Sequence, residues 1–138
     1  MEDAIQVNEV MTENPVAVER DQTLQQAAQL MVDNDCGSLP VTDSGTLCGV
    51  ITDRDITVRG VAAGMPADHP VHHAMSAKVV SIRSDASTGE ASELMAERQL
   101  RRLYVVDDGS LVGVVALADL AKEQTAQQAT QALEGISQ

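Results

Sequence analysis

Large aromatic side chains are almost missing: the chain has no Phe, no Trp and a single Tyr, Tyr104. A core without rings must be filled by Val, Ile, Leu, Met and Ala. The same lack argues strongly against a nucleic-acid surface built on base stacking. Positive charge is scarce as well, with 9 Lys and Arg against 21 Asp and Glu and a net charge of −12. Phosphate backbones are held by clustered cations, so no nucleic-acid partner is expected. No apolar run approaches the roughly 20 residues that cross a bilayer, so no membrane partner is expected either. Met1-Glu2-Asp3-Ala4-Ile5 has neither a basic segment nor an apolar one, and the expected location is cytoplasmic. Cysteine is limited to Cys36 and Cys48, which the hairpin described below does not place opposite each other; free, buried thiols are the simplest reading. What remains is an acidic chain of 138 residues, 43% hydrophobic, long enough for one domain or two small intertwined units.

The chain repeats itself. Shifted by about 64 positions, the two halves share about 15 identities over about 50 positions, where chance gives about three. Val7, Met11, Val16, Asp21, Ala27, Leu30 and Met31 fall on Val71, Met75, Val80, Asp85, Ala91, Leu94 and Met95. Leu39, Val41, Asp43, Gly45, Leu47, Gly49, Val50 and Asp55 fall on Leu103, Val105, Asp107, Gly109, Leu111, Gly113, Val114 and Asp119.

Each half has one grammar. Val16–Val18 and Val80–Ile82 alternate as strands do. Leu24, Ala27, Leu30 and Met31, like Ala91, Leu94 and Met95, recur at helical spacing behind Thr23 and Ser87, which stand as N-caps. Two apolar strands follow, joined by Asp43-Ser44-Gly45 or Asp107-Asp108-Gly109 as β-hairpins. A second helix closes each unit, from Thr52 to about Ala63 and from Ala116 into a tail striped by Leu120, Ala121, Ala126, Ala129 and Leu133. The fold class is α/β (α+β), two pseudo-twofold related repeats of order strand, helix, strand, strand, helix. Residues 1–64 form repeat one and residues 71–138 repeat two with its C-terminal helical tail. The join, 65–70, lies where Gly64, Pro66 and Pro70 break both periodicities. Repeats of about 60 residues are too small for generous separate cores, so they are expected to pack together with a cleft between them.

One segment carries chemistry. Gly49-Val50-Ile51-Thr52-Asp53-Arg54-Asp55 is a strand that ends at a hydroxyl residue and opens a helix. Thr52 and its acidic neighbours fit a helix N-cap and need no further role. The same atoms also suit a nucleotide. Free backbone N–H groups and the Thr52 hydroxyl would meet a phosphate, and an ionised Asp55, acceptor only, would hold a ribose diol. Gly49 would let a flat group lie close to the strand, and with no rings available a base would rest against aliphatic side chains such as Ile51 or Val80.

The duplicated unit, with Gly-hydrophobic-hydrophobic-Thr-x-x-Asp at the end of its hairpin, resembles the cystathionine-β-synthase (CBS) domain, and the tandem resembles a CBS pair, or Bateman module. The resemblance covers about residues 7–122. Val50–Ile56 followed by Gly60–Gly64 is also similar to small stand-alone bacterial CBS-pair proteins, including those of the hypoxia-response type. The family implies a disc-like pair that binds adenine nucleotides or adenosyl compounds in the cleft, as a regulatory ligand and not as a cofactor. It gives Thr52 the phosphate or ribose, Asp55 the ribose hydroxyls, and Arg101 and Arg102 the phosphate; Arg98 lies one helical turn away. It also implies a homodimer that signals to an effector protein.

The two repeats depart from that pattern unequally. Ala116 stands where repeat one has Thr52, although Asp119 remains, and Gly37 and Ser38 stand where repeat two has Arg101 and Arg102. Tyr104 replaces the family's Pro, which Pro40 keeps. One complete site per chain is expected, made of Thr52, Asp55, Arg101 and Arg102, with a second, degraded one around Asp119 and Ala116. A protein-interaction module with a vestigial site is the alternative. No catalytic residues stand out, because His69, His72 and His73 sit in or beside the join without a placed nucleophile. They read as a flexible polar connector, and no metal site is expected. Met11, Met31, Met75 and Met95 recur at equivalent positions as core filler.

Overall fold

A computed structural model of the chain describes residues 5–123, 125 and 126. It opens with a 3-10 turn, Val7–Glu9, and a two-residue strand, β1 (Thr12–Glu13). The first repeat then supplies β2 (Val18–Glu19), α1 (Leu24–Asp33), β3 (Ser38–Asp43), β4 (Thr46–Thr52) and α2 (Asp53–Asp55), which runs on as a π-helical stretch, Ile56–Val61. A second 3-10 turn, Val71–His73, precedes β5 (Ser81–Ile82), α3 (Thr88–Arg98), β6 (Arg102–Asp107) and β7 (Ser110–Ala116). A last helix, α4, covers 117–123. The mixed α/β order expected from the repeat is present twice. Ala129 and Leu133 of the expected tail stripe lie outside the described residues.

Local chemistry accounts for the helices. Thr23 Oγ1 accepts from the Gln26 N–H at 3.0 Å while Gln26 reaches back to the Thr23 N–H at 2.9 Å, a reciprocal cap. Ser87 Oγ caps α3 through the Glu90 N–H at 3.0 Å. Leu24, Ala27 and Met31 then face inward from α1, as Ala91 and Met95 do from α3. The first strand of each repeat is shorter than its alternation suggests. Val16 stays exposed, because the parallel pairing of β2 with β3 involves only Val18 with Val41 and Glu19 with Thr42.

The chain forms two compact units that are not the two halves of the sequence. One is built from 15–80 with 108–111, the other from the described parts of 1–14, 81–107 and 112–138. In the first unit, Val18, Leu24, Ala27, Met31, Leu39, Val41, Ile51, Val71 and Ala74 make the core. In the second, Val7, Ala91, Met95, Leu103, Val105 and Val115 are all but inaccessible.

Each unit therefore takes its lead-in turn from the other repeat, held by the same bonds. The Val71 N–H donates to the Gln22 carbonyl at 2.7 Å and the His72 N–H to that of Arg20 at 3.1 Å. The Val7 N–H donates to the Ala86 carbonyl at 2.8 Å and the Asn8 N–H to that of Ser84 at 3.0 Å. After the turn the backbone pairs with the second hairpin strand, Ser76 with Val50 in one unit and Thr12 with Val114 in the other.

The join is anchored and is not the flexible connector its composition suggests. The Leu24 N–H donates to the His69 carbonyl at 2.9 Å and the Gln25 N–H to that of Ala67 at 3.0 Å. Both cysteines are unpaired and half-buried, short of full burial. Cys48 occupies the irregularity where the β3–β4 register shifts, and its Sγ–H donates to the Val41 carbonyl at 3.4 Å. Burial pushes this thiol's pKa above its ordinary value.

Two predictions follow from these contacts. A Cβ on Gly49 would stand 2.6 Å from the Ser76 carbonyl oxygen and 2.8 Å from Met75 Sδ. Gly49→Ala is expected to lower stability by about 1–3 kcal/mol in urea titration, an overpacking cost; an unchanged midpoint would mean that the lead-in segment is not held there. In the other unit, Ser84 donates to Asp107 through its N–H at 3.1 Å and its hydroxyl at 2.6 Å, which holds this carboxyl's pKa below the usual value. The unfolded chain then binds the extra proton, so the contribution is present above about pH 4 and lost as pH falls through the folded pKa. Thermal unfolding of Ser84→Ala should show a deficit at pH 7 that shrinks as pH falls below about 4.

Candidate functional site

Thr52 ends β4 in an extended conformation and caps the helix that follows. Its Oγ1 accepts from the Asp55 N–H at 3.0 Å, and Asp55 Oδ2 accepts from the Thr52 N–H at 3.0 Å. This reciprocal box fixes both side chains at the junction of β4 and α2, with the Asp55 side chain only 17% exposed. It leaves the Thr52 hydroxyl proton free to donate and Asp55 Oδ1 free to accept.

The box also removes the phosphate cradle expected from free backbone N–H groups. The Thr52 and Asp55 N–H groups serve each other's side chains, the Asp53 N–H donates to the Gly37 carbonyl at 2.9 Å, and the Arg54 N–H donates to Asp53 Oδ1 at 2.8 Å. All four donors at the helix start are spent internally, so an anion here must be met by side chains. Gly49 and Ile51 do not offer the surface expected for a flat group either. The bare face of Gly49 admits the Ser76 backbone and Met75, not a ligand, and Ile51 is fully buried in the core. Val80 stays half-buried.

In repeat two, the Ala116 N–H donates to Asp119 Oδ2 at 3.4 Å, half of the same box without the hydroxyl. Arg101 and Arg102 are exposed at the start of β6, where the Arg101 carbonyl accepts from the Leu117 N–H at 2.7 Å. Arg98 is exposed in the last turn of α3. Thr52 and Asp55 thus belong to one unit, and Arg98, Arg101 and Arg102 to the other.

Arg59 escaped the sequence reading. Its Nε lies 3.9 Å from Asp55 Oδ1, and its Nη1 donates to the Met75 carbonyl at 3.2 Å. The clue was the acid–base spacing of four residues along a helix.

The histidines gather without forming a metal centre. The His69 and His73 ring centroids are 4.8 Å apart and those of His72 and His73 4.3 Å, while His72 Nε2 lies 3.9 Å from Asp21 Oδ1. Partial desolvation, with the neighbouring imidazoles and Arg20, lowers the pKa of His73. Among the described residues no three His, Cys, Asp or Glu side chains are placed to hold a metal ion, and no helix is long and apolar enough to cross a membrane. A groove of about 690 Å³ between α1 and α2, lined by Met31, Val32, Cys36, Asp53 and Ile56 among others, includes neither Thr52 nor Asp55.

The CBS-domain family model matches the chain twice, over residues 7–60 and 71–126. CBS domain-containing protein YhcV of Bacillus subtilis is 44% identical over 132 residues, 95% of this chain and 94% of that protein. Hypoxic response protein 1 of Mycobacterium tuberculosis is 35% identical over 116 residues, 83% of this chain and 81% of that protein. The crystal structure of Hypoxic Response Protein I with two coordinated zinc ions matches with a TM-score of 0.76 and 34% identity, covering 85% of this chain and 97% of that one. CBSX2 in complex with AMP matches with a TM-score of 0.76 and 25% identity, covering 90% and 98%.

The capping box has a direct energetic test. Thr52→Ala removes the acceptor of the Asp55 N–H and should cost about 1 kcal/mol of stability, whereas Thr52→Ser should keep most of it. Urea unfolding of both variants decides, and equal loss in both would mean that the methyl and not the hydroxyl oxygen carries the effect.

Proposed function

The chain belongs to the CBS-domain family as a tandem pair, and from that premise we propose that it is a non-catalytic regulatory module for an adenine nucleotide or a related adenosyl compound. Thr52 and Asp55 of repeat one (1–64) would take the ribose, and Arg101 and Arg102 of repeat two (71–138) the phosphate, with residues 65–70 joining the repeats. The observation that carries this reading is the Thr52–Asp55 box. It presents a hydroxyl donor and a carboxylate acceptor in fixed positions, the pair a ribose needs. The AMP complex of CBSX2 supports the ligand class. The missing hydroxyl at Ala116 limits the complete site to one per chain and leaves Asp119 in the degraded one. Ligand would act by population shift, favouring one arrangement of a cytoplasmic homodimer that an effector protein reads. The zinc of the Hypoxic Response Protein I structure is not carried over, since no ligand set for it exists among the described residues.

Thermal unfolding with AMP, ATP, NAD and S-adenosylmethionine tests the reading. A ligand at 100 times its dissociation constant should add about 2.7 kcal/mol. Asp55→Asn, which keeps an oxygen for the Thr52 N–H, should abolish most of the shift, and titration should give one equivalent per chain. No shift with any ligand at millimolar concentration would favour the protein-interaction module with a vestigial site.

A further inference from the structure

We infer that Arg59 is a specificity residue of the Thr52–Asp55 site: from the same unit it supplies the cation that selects a phosphorylated adenosyl ligand over a neutral or sulfonium one. The inference rests on the nucleotide reading and narrows its ligand class.

With the N–H groups of Thr52, Asp53, Arg54 and Asp55 all engaged, no backbone donor is left for an anion. Two carboxylates, Asp53 and Asp55, stand beside the same position in a chain of net charge −12. A phosphate brought next to Asp55 meets repulsion unless a cation cancels it. Arg59 is that cation. Its Nε stands 3.9 Å from Asp55 Oδ1, beyond hydrogen-bond reach but within an ion pair. The pair offsets the carboxylate's charge and leaves Oδ1 open to a ribose hydroxyl.

The guanidinium is also held in place. Nη1 donates to the Met75 carbonyl at 3.2 Å, in the segment whose next residue, Ser76, pairs with Val50 two residues before Thr52. Arginine has five N–H donors in a rigid fork, and that bond uses one of them. The side chain is 55% exposed, so donors beyond that bond remain accessible beside the Asp55 carboxylate. A carboxylate for a diol and a guanidinium for an anion, side by side, match a nucleoside phosphate. A neutral nucleoside leaves the guanidinium unused, and a sulfonium is repelled by it. Arg54 lies on the same turn as Asp55, but among the described residues its side chain is neither paired with Asp55 nor held by a hydrogen bond.

The test is isothermal titration of the full chain and its Arg59→Gln and Arg59→Lys variants with AMP, adenosine and inorganic pyrophosphate, after confirming equal unfolding midpoints without ligand. For an exposed charge-assisted contact, Arg59→Gln should weaken AMP about threefold to tenfold and leave adenosine within about twofold, with Arg59→Lys recovering most of the loss. Equal weakening of AMP and adenosine would make Arg59 a mere strap between Asp55 and Met75 and overturn the inference, as would no change in either. If neither AMP nor adenosine binds the wild type, the nucleotide reading fails separately and pyrophosphate decides for Arg59. Binding by the wild type that is lost in Arg59→Gln sustains its role as the anion site, and no binding overturns it.

Discussion

The close backbone approach at two glycines is the constraint on which the rest depends. Gly49 and Gly113 occupy equivalent places on the second hairpin strand of each repeat. Each faces a methionine and the main chain beside it, Met75 with Ser76 at Gly49 and Met11 with Thr12 at Gly113. Only a residue without Cβ admits backbone at such distances. That approach lets a lead-in segment add its hydrogen bonds to the hairpin, and in the first unit the bonds fall on Val50. Thr52 is two residues further on. The strand end that positions the candidate site is thus clamped from its open side, and the same segment offers the Met75 carbonyl to Arg59.

Once Thr52 is placed, the helix start closes on itself. A capping box satisfies donors that would otherwise seek water or an anion. Here the neighbouring Gly37 carbonyl and the Asp53 side chain complete the set. Stability and the proposed ligand chemistry meet in the same atoms. The cap that starts the helix also aims the Thr52 hydroxyl and the Asp55 carboxylate, and it leaves charge recognition to side chains. In the proposed reading, anion preference would therefore come from arginines and not from the helix end.

The duplication diverged where function allows it and stayed fixed where packing does not. Val18, Ala27, Leu39, Val41 and Ile51 of one repeat, and Ala91, Leu103, Val105 and Val115 of the other, are buried alike. The tie beneath each first strand kept its place and changed its partner, Arg20 to Asp43 in one repeat and Ser84 to Asp107 in the other. At the helix start, Ala116 keeps the Asp119 half of the box and loses the other half. Loss of a hydroxyl there sacrifices one hydrogen bond but no core contact, so the fold tolerates it.

Much was legible in the residues alone. The internal repeat, the N-caps at Thr23 and Ser87, the hairpins and the pairing of Thr52 with Asp55 all rest on contacts within a few positions, where periodicity and capping chemistry leave a direct trace. The register between segments far apart in the chain leaves none. Nothing in the pattern showed that the lead-in turns are exchanged between units, that the join is bonded to the start of α1, or that Gly49 faces a methionine rather than a ligand. The free N–H groups expected at Thr52 disappeared for the same reason, since one of their acceptors, the Gly37 carbonyl, arrives from 16 positions away. Composition and local spacing carry short-range bonding; folding alone brings a distant carbonyl, a methionine or a guanidinium to the same few ångströms.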